Sequence, residues 1–337
     1  MTDPLDDQIR ALVAAAGITA NSDQIRQIIA TAVGMGQDRP DRLDLKITSA
    51  AVAEMRNAFR TFAPFADTPK VTIFGSARTR TDDPQYVQTH DVAAALAAKG
   101  WMVVTGAGPG IMQAAMEGAG AENSIGVSIR LPFEERANSL IHDDPKHVSM
   151  KYFFTRKLML VKESRAFVSV PGGFGTLDET FELLTLQQTG KAEPTPIVLL
   201  DVPGESFWQG LRHFVDAHLV RLGLVSPDDL TRVLITDSVD EAVDEILGFW
   251  RNYDSLRWVG SQLVIRVRQT PTDEQLAALN ERFAHLLASG TIERTPALPV
   301  EVASNDKVDL PRLVMTWEQF NVGSLHRLIR ALNALPD

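Results

Sequence analysis

A chain of 337 residues, 45% hydrophobic and 23% charged, has ordinary globular composition and room for about two domains, which excludes wholesale disorder. Its net charge of −10 repels phosphate backbones and argues against a general nucleic-acid binder, and the absence of cysteine removes disulfides, thiolate metal sites and cysteine nucleophiles. No apolar run approaches the roughly 18 residues of a membrane span, and the acidic start lacks the positive charge of a signal peptide, so a cytoplasmic protein without membrane contact is expected.

Residues 1–65 read as a helical extension. Ile9, Leu12 and Val13 make one apolar stripe, Ser22 is expected to cap a helix carrying Ile25, Ile28 and Ile29, and residues 51–62 continue at helical spacing. Pro64 and Pro69 end this part. Residues 66–254 then alternate short β-rich runs (71–74, 101–104, 125–128, 166–170, 196–200 and 233–235) with helical stretches such as 92–98 and 207–222. Continuous apolar strands alternating with helices predict a Rossmann-like α/β domain, a doubly wound parallel sheet covered on both faces. Residues 255–337 follow as strand 262–267, helix 273–287, strand near 291–294, strand 313–317 and helix 324–335, a small α+β domain; 295–311 reads as an exposed loop.

Two glycine clusters follow predicted strands and precede predicted helices. In the first, TGAGPGIM at 105–112, Gly106, Gly108 and Gly110 let the backbone approach a ligand at a helix N-terminus, with Met112 beside them. Its spacing is GxGxG rather than the dinucleotide GxGxxG, and Glu122 is the only acid in rough range of a ribose partner; a tight turn without ligand is the plainer alternative. In the second, PGGFGTLDE at 171–179, the Thr176 hydroxyl can join the N–H groups of Gly173 and Gly175 around a phosphate. On the helix that follows, Leu177, Phe181 and Leu184 form the expected apolar stripe, with Glu179 and Glu182 on the opposite side, where acids serve either chemistry or the helix dipole.

Between the clusters, residues 149–161 read as helical. Arg156 shares a face with Tyr152 and Met159 and can bind substrate or pair with Glu163, while Lys157 points elsewhere and is expected at the surface. The histidines (His90, His142, His147, His213, His218, His285 and His326) show no metal-ligand spacing, and neither G-x-S-x-G nor GxxxxGK[ST] occurs. The pairs Phe207–Trp208 and Phe249–Trp250 are expected in the core.

The second cluster resembles the PGGxGTxxE pattern of the Lonely Guy family. The resemblance extends to IFGSA at 73–77, which brings in Gly75 and Ser76, to the first glycine loop, SIGV at 124–127, LPFE at 131–134, TRK at 155–157 and QQTGK at 187–191. It covers about 70–250, and the combination is more specific than either loop alone. An older label for such proteins is lysine decarboxylase, a reaction that normally needs pyridoxal phosphate on a lysine, for which no site is recognisable. The resemblance implies hydrolysis of the N-glycosidic bond of a nucleoside 5′-monophosphate, AMP or a cytokinin riboside monophosphate, to free base and ribose 5-phosphate. It implies a 5′-phosphate on the N–H groups of Gly172, Gly173, Gly175 and Thr176, Glu179 at the ribose and attacking water, Glu182 as a second carboxylate, and Arg156 orienting substrate beside Lys157. No cofactor and no metal is implied, and a homodimer or higher homo-oligomer is. Plant-type members read MHxRK where this chain has FFTRK at 153–157, so the preferred base stays open. A non-catalytic carrier of molybdenum cofactor is the alternative function, and a DNA-uptake protein on a related domain would call for a basic surface. Residues 255–337 carry none of these motifs and are expected to serve an interface or an effector.

Overall fold

The computed structural model describes residues 4–130, 140–318 and 322–336; the LPFE stretch at 131–134 lies outside them. The chain divides into two compact units, Met1–Arg56 and Asn57–Asp337. In the first, α1 (Pro4–Ala15) buries Ile9 and Val13 but leaves Leu12 outside, so the stripe is narrower than its sequence pattern. The N-cap of α2 (Ser22–Asp38) is Asn21 in a left-handed conformation rather than Ser22, and no side chain caps the helix. Asn tolerates that conformation because its short polar side chain compensates locally. The helix α3 (Arg42–Phe62) follows.

In chain order the next elements are β1 (Lys70–Phe74), α4 (Pro84–Ala97), β2 (Met102–Thr105), α5 (Ile111–Ala119), β3 (Ser124–Ile129), β4 (His147–Met150) and α6 (Phe153–Lys162). They continue with β5 (Ala166–Ser169), α7 (Phe174–Gln188), β6 (Ile197–Leu200), α8 (Phe207–Phe214), β7 (Val233–Thr236) and α9 (Val239–Phe249). These seven strands form one parallel sheet in the order β4-β3-β2-β1-β5-β6-β7. The chain builds outward from β1 to β4, then returns to the other side of β1 with β5, so the order reverses beside β1. Ligands of open α/β sheets bind in the crevice at the carboxyl ends of strands where the order reverses.

The six expected strands are all present, shifted by a residue or two. The seventh, β4, was missed because a four-residue edge strand, HVSM, carries no apolar run. Alternate residues of β1 serve different layers. Val71 and Ile73 join the apolar core with Val92, Leu96, Val103 and Ile246. Thr72 faces the other layer, where its hydroxyl donates to the Leu160 carbonyl at 2.8 Å and ties β1 to α6.

A second sheet, antiparallel in the order β10-β11-β9-β8, is built from β8 (Tyr253–Val259), β9 (Gln262–Val267), β10 (Leu287–Thr295) and β11 (Arg312–Trp317). The helices α10 (Asp273–Phe283) and α12 (Val322–Asn333) bury Leu279, Phe283, Leu328 and Ile329 against it. The expectation lacked β8, whose mixed sequence YDSLRWV hides the alternation. It also took 295–311 for a loop, whereas the segment holds α11 (Pro299–Ala303) and the fully buried Glu301.

Glu301 explains why that segment is ordered. Arg312 of β11 pairs in register with Arg266 of β9, which sets two buried guanidinium groups side by side. Glu301 bridges them, with Oε1 2.6 Å from Arg266 Nη2 and Oε2 3.2 Å from Arg312 Nε, and its own Oε2 accepts the Leu298 N–H at 3.0 Å. Burial opposes the charge, but the Leu298 N–H, Arg266 and Arg312 prevail and hold the carboxyl below its ordinary value of 4.5. Its contribution is therefore complete above that value and is lost as the pH falls through the lower folded value. Glu301→Ala leaves the buried Arg312 without its carboxylate and Arg266 with Asp306 alone, and is expected to cost about 3–5 kcal/mol at neutral pH. Urea unfolding of both proteins, repeated at acidic pH where the difference should shrink, checks this.

Candidate active site

The loops at the carboxyl ends of β1, β2 and β5 are packed so closely that side chains are excluded from them. A Cβ on Gly75 would lie 2.7 Å from Ile111 Cβ. Gly110, at φ +65°, presses on the backbone of Ala77, and the Ile111 N–H donates to the Ser76 carbonyl at 3.0 Å. Gly110 thus lets the β1 loop and the start of α5 meet. A Cβ on Gly106 would overlap the Arg156 guanidinium and come 2.8 Å from Met112 Sδ. Gly172 lies against Thr176 and the Ser76 N–H, whereas Gly173 and Gly175 face open space.

Together these loops enclose a cavity of about 820 Å³ lined by Gly75, Ser76, Gly106, Met112, Arg156, Gly172, Gly173, Gly175, Thr176 and Glu179. The N-cap residues of α5, α6 and α7 are Gly110, Tyr152 and Gly173, and none caps its helix with a side chain. The α5 and α7 N-termini therefore offer their dipole ends and backbone donors to an anion beside the glycine loops. Of the remaining expected residues, Gly108, Gly110, Lys157 and Glu182 do not line the cavity. Gly108 backs onto the tip of Met112, and Glu122 lies beside Gly120 at the far end of α5.

Glu179 is 6% exposed, and its Oε2 has no hydrogen-bond partner among the described residues. Burial pushes its carboxyl above the ordinary range, opposed by the charges of Lys157 and Arg156. The expected geometry of α7 is inverted. Thr176, Glu179, Thr180, Leu183 and Gln187 face inward, while Leu177, Phe181 and Leu184 are left partly or largely exposed. The cause is the polar surface beneath: Thr180 Oγ1 meets Ser169 Oγ at 2.9 Å, and Gln187 Nε2 donates to the Thr195 carbonyl at 2.7 Å.

Lys157 is not a surface residue. Its Nζ lies 2.7 Å from Glu182, 2.8 Å from Asp178 and 3.5 Å from Glu179 Oε2, with the side chain only 16% exposed. Burial works against the ammonium charge, but Asp178, Glu182 and Glu179 outweigh it and raise the group above its usual value. Consecutive residues on a helix differ by about 100°, so Arg156 turns to the glycine loop, donating from Nε to the Val127 carbonyl at 2.9 Å, while Lys157 turns to α7. Glu163, a candidate partner for Arg156, lies instead at 2.6 Å from Lys162.

Sequence reasoning missed Arg78, Phe153, Phe174, Asp178 and Phe207 in the cavity wall. Phe207 was expected in the core with Trp208; only Trp208 is buried, and Phe207 meets it edge-on at 4.8 Å while facing the cavity. Asp178, next to Glu179 in the motif, carried the one readable signal.

Residues 110–246 match the family model described as "Possible lysine decarboxylase". The chain is 32% identical over 157 residues to a cytokinin riboside 5′-monophosphate phosphoribohydrolase of Mycobacterium tuberculosis, covering 45% of this chain and 80% of that protein. It is 30% identical over 119 residues to an enzyme of the same name from Arabidopsis thaliana, covering 35% of this chain and 54% of the relative. A molybdenum cofactor binding protein from Rippkaea orientalis aligns at TM-score 0.38 and 19% identity, over 52% of this chain and 94% of that one. The chain belongs to the Lonely Guy family, whose named members are phosphoribohydrolases. Among the described residues no helix is long and apolar enough to cross a membrane.

The contact between Lys157 and Glu179 is testable without any substrate. Replacing Lys157 by Met removes a positive charge that holds the buried carboxyl down, so the titration of Glu179 should move to higher pH. Carboxyl-detected NMR on the two proteins measures it; an unmoved titration would show that Lys157 does not sense Glu179.

Proposed function

We propose that this protein hydrolyses the N-glycosidic bond of a nucleoside 5′-monophosphate, AMP or a cytokinin riboside monophosphate, giving free base and ribose 5-phosphate. The observation that carries this reading is a buried carboxylate oxygen without a bond, Glu179 Oε2, at the wall of a cavity beside an uncapped helix N-terminus. The 5′-phosphate would rest on the N–H groups of Gly172, Gly173, Gly175 and Thr176. That anchoring places the ribose towards Glu179, whose charge stabilises the oxocarbenium-like ring as the bond to the base breaks. Water adds at the anomeric carbon and its proton passes to the Glu179 carboxylate, which burial has made a better acceptor than an exposed acid. Arg156, fixed by the Val127 carbonyl, orients the substrate and assists the departing base. Lys157, held by Glu182 and Asp178, sits against Glu179 rather than touching substrate. Helix N-termini, glycine loops and these side chains supply the groups this reaction needs, with no cofactor called on.

Two other readings are weaker. Lysine decarboxylation would need an amine able to attack a carbonyl, and the lysine at this site is kept protonated by three carboxylates. A carrier of molybdenum cofactor needs the phosphate cradle but has no use for a buried carboxylate oxygen without a hydrogen bond beside it.

Glu179→Gln keeps size and removes charge, and is expected to lower AMP hydrolysis by about 10²–10³-fold. Because burial disfavours the charged carboxyl, the wild type loses stability as the pH rises through the raised value of Glu179. The variant should therefore melt at the same temperature as the wild type or higher at neutral pH. Adenosine, lacking the phosphate, should be a far poorer substrate than AMP. Near-wild-type hydrolysis by Glu179→Gln would reject the assignment of Glu179, and equal efficiency on adenosine would reject the phosphate cradle.

We also infer that the active form is a homodimer or higher homo-oligomer in which a second copy covers the outer face of α6 and α7. Phe153, Phe154, Leu158, Phe174 and Phe181 are all exposed on these two helices, Phe174 to 93%, and Phe153 and Phe174 also line the cavity. Large apolar side chains left exposed together in this way mark an interface. Phe154→Asp, outside the cavity wall, should shift the protein towards monomer by analytical ultracentrifugation; an unchanged mass would place the interface elsewhere.

A further inference from the structure

A second cavity, of about 470 Å³, lies at the opposite ends of the same strands. Arg165 immediately precedes β5 and Glu193 lies in the loop before β6, so both belong to the amino edge of the parallel sheet. The four-stranded sheet and the segment after α11 supply Arg257, Arg266, Asp306 and Lys307. Four basic side chains and two acidic ones line it, and Asp254 and Glu301 lie against Lys307 and Arg266.

These cations are held without being used up. Arg266 is 3% exposed and pinned by Glu301 and Asp306, each 2.6 Å from Nη2. Arg257 donates through Nη1 to Asp306 at 2.7 Å and to Ser304 at 3.2 Å, which leaves the rest of its fork without an acceptor among the described residues. The Lys307 ammonium reaches Asp254 at 2.5 Å. Arg165 stacks on the Trp250 ring at 4.9 Å and makes no ion pair among the described residues. Beside them Tyr253 is fully buried with a hydroxyl that has no hydrogen-bond partner among the described residues, in the field of Glu193, Asp254, Arg165 and Arg266.

We propose that this cavity binds a small phosphorylated anion, a phosphomonoester or pyrophosphate group, clamped between Arg165 of the parallel-sheet layer and Arg257 and Lys307 of the four-stranded sheet. Two guanidinium forks and an ammonium approaching from different elements suit a tetrahedral, doubly charged group. A planar carboxylate would satisfy one fork only. The site is separate from the candidate active cavity, yet the same two helices serve both. Near its start α6 holds Arg156 and Lys157, and its chain leads to Arg165; α7 holds Glu179 and leads to Glu193. This gives residues 255–337 a ligand of their own.

Titration calorimetry with inorganic pyrophosphate on the full chain tests the proposal, using wild type, Arg165→Gln, Arg257→Gln and Thr176→Asp. The last places a carboxylate in the glycine cradle of the active cavity and repels phosphate there. A class of binding that weakens roughly ten- to a hundredfold in each arginine variant and survives in Thr176→Asp is expected. Pyrophosphate binding that is unchanged in both arginine variants, or that only Thr176→Asp abolishes, would overturn it. Binding lost in the arginine variants and unaffected by Thr176→Asp supports the second site while counting against the phosphate cradle. Should Arg257→Gln fail to fold, Arg165→Gln decides alone, because Arg165 supports no ion pair.

Discussion

The burial of the Glu179 carboxylate is the constraint on which the site depends. Taking a carboxylate out of water costs several kcal/mol even after relaxation, and an oxygen without a hydrogen bond recovers only part of it through nearby charge. Lys157 supplies the nearest positive charge but is shared with Asp178 and Glu182, and Arg156 is turned towards the glycine loop. The cluster therefore holds three carboxylates around one ammonium, with the most buried of the three at the longest distance. Such an arrangement does little for stability. It leaves a charge under-compensated at the wall of the cavity, where the proposed reaction would develop a positive one.

The glycine loops follow from the same need. For Arg156 to lie over the β2 loop, residue 106 must have no side chain; for the β1 loop to meet α5, residue 110 must take a positive φ. The inward face of α7 is given to Thr176, Glu179, Thr180 and Gln187 with Leu183, while Leu177, Phe181 and Leu184 are turned outward. Phe181, with Phe153 and Phe154 of α6, is then exposed on the surface that a second copy would cover. Polar inner packing and apolar outer surface are two aspects of one choice of helix face.

Much of this was legible in the sequence, and unevenly so. The parallel strands announced themselves because both of their faces are buried, which makes them continuous apolar runs. Arg156, Glu179 and most of the loop glycines were read from motifs of fixed spacing, and they line the cavity. Lys157 and the face of α7 were misread for a common reason: amphipathic periodicity assumes that the buried face is the apolar one, and at this site it is not. β4 and β8 were lost because an edge strand and a strand of mixed character carry weak patterns. Glu301 could not have been read at all. Its partners Arg266 and Arg312 become neighbours only through strand register, and a carboxylate in a proline-flanked segment otherwise reads as solvent-facing.

Net charge is a poor guide to what an acidic chain binds. At physiological ionic strength exposed charges are screened within about 8 Å, so acids on the far surface contribute little inside a cavity. Backbone donors at the start of α7 and the dipole of that helix attract an anion whatever the sum of side-chain charges. In the second cavity Arg165 is contributed by one layer and Arg257 by the other, so neither layer alone brings the two guanidinium groups together. An excess of acids elsewhere raises discrimination, because a long polyanion meets repulsion along its length while a small phosphorylated molecule meets only the local field. The −10 that argues against nucleic acid is thus compatible with the two pockets proposed for small phosphate-bearing ligands.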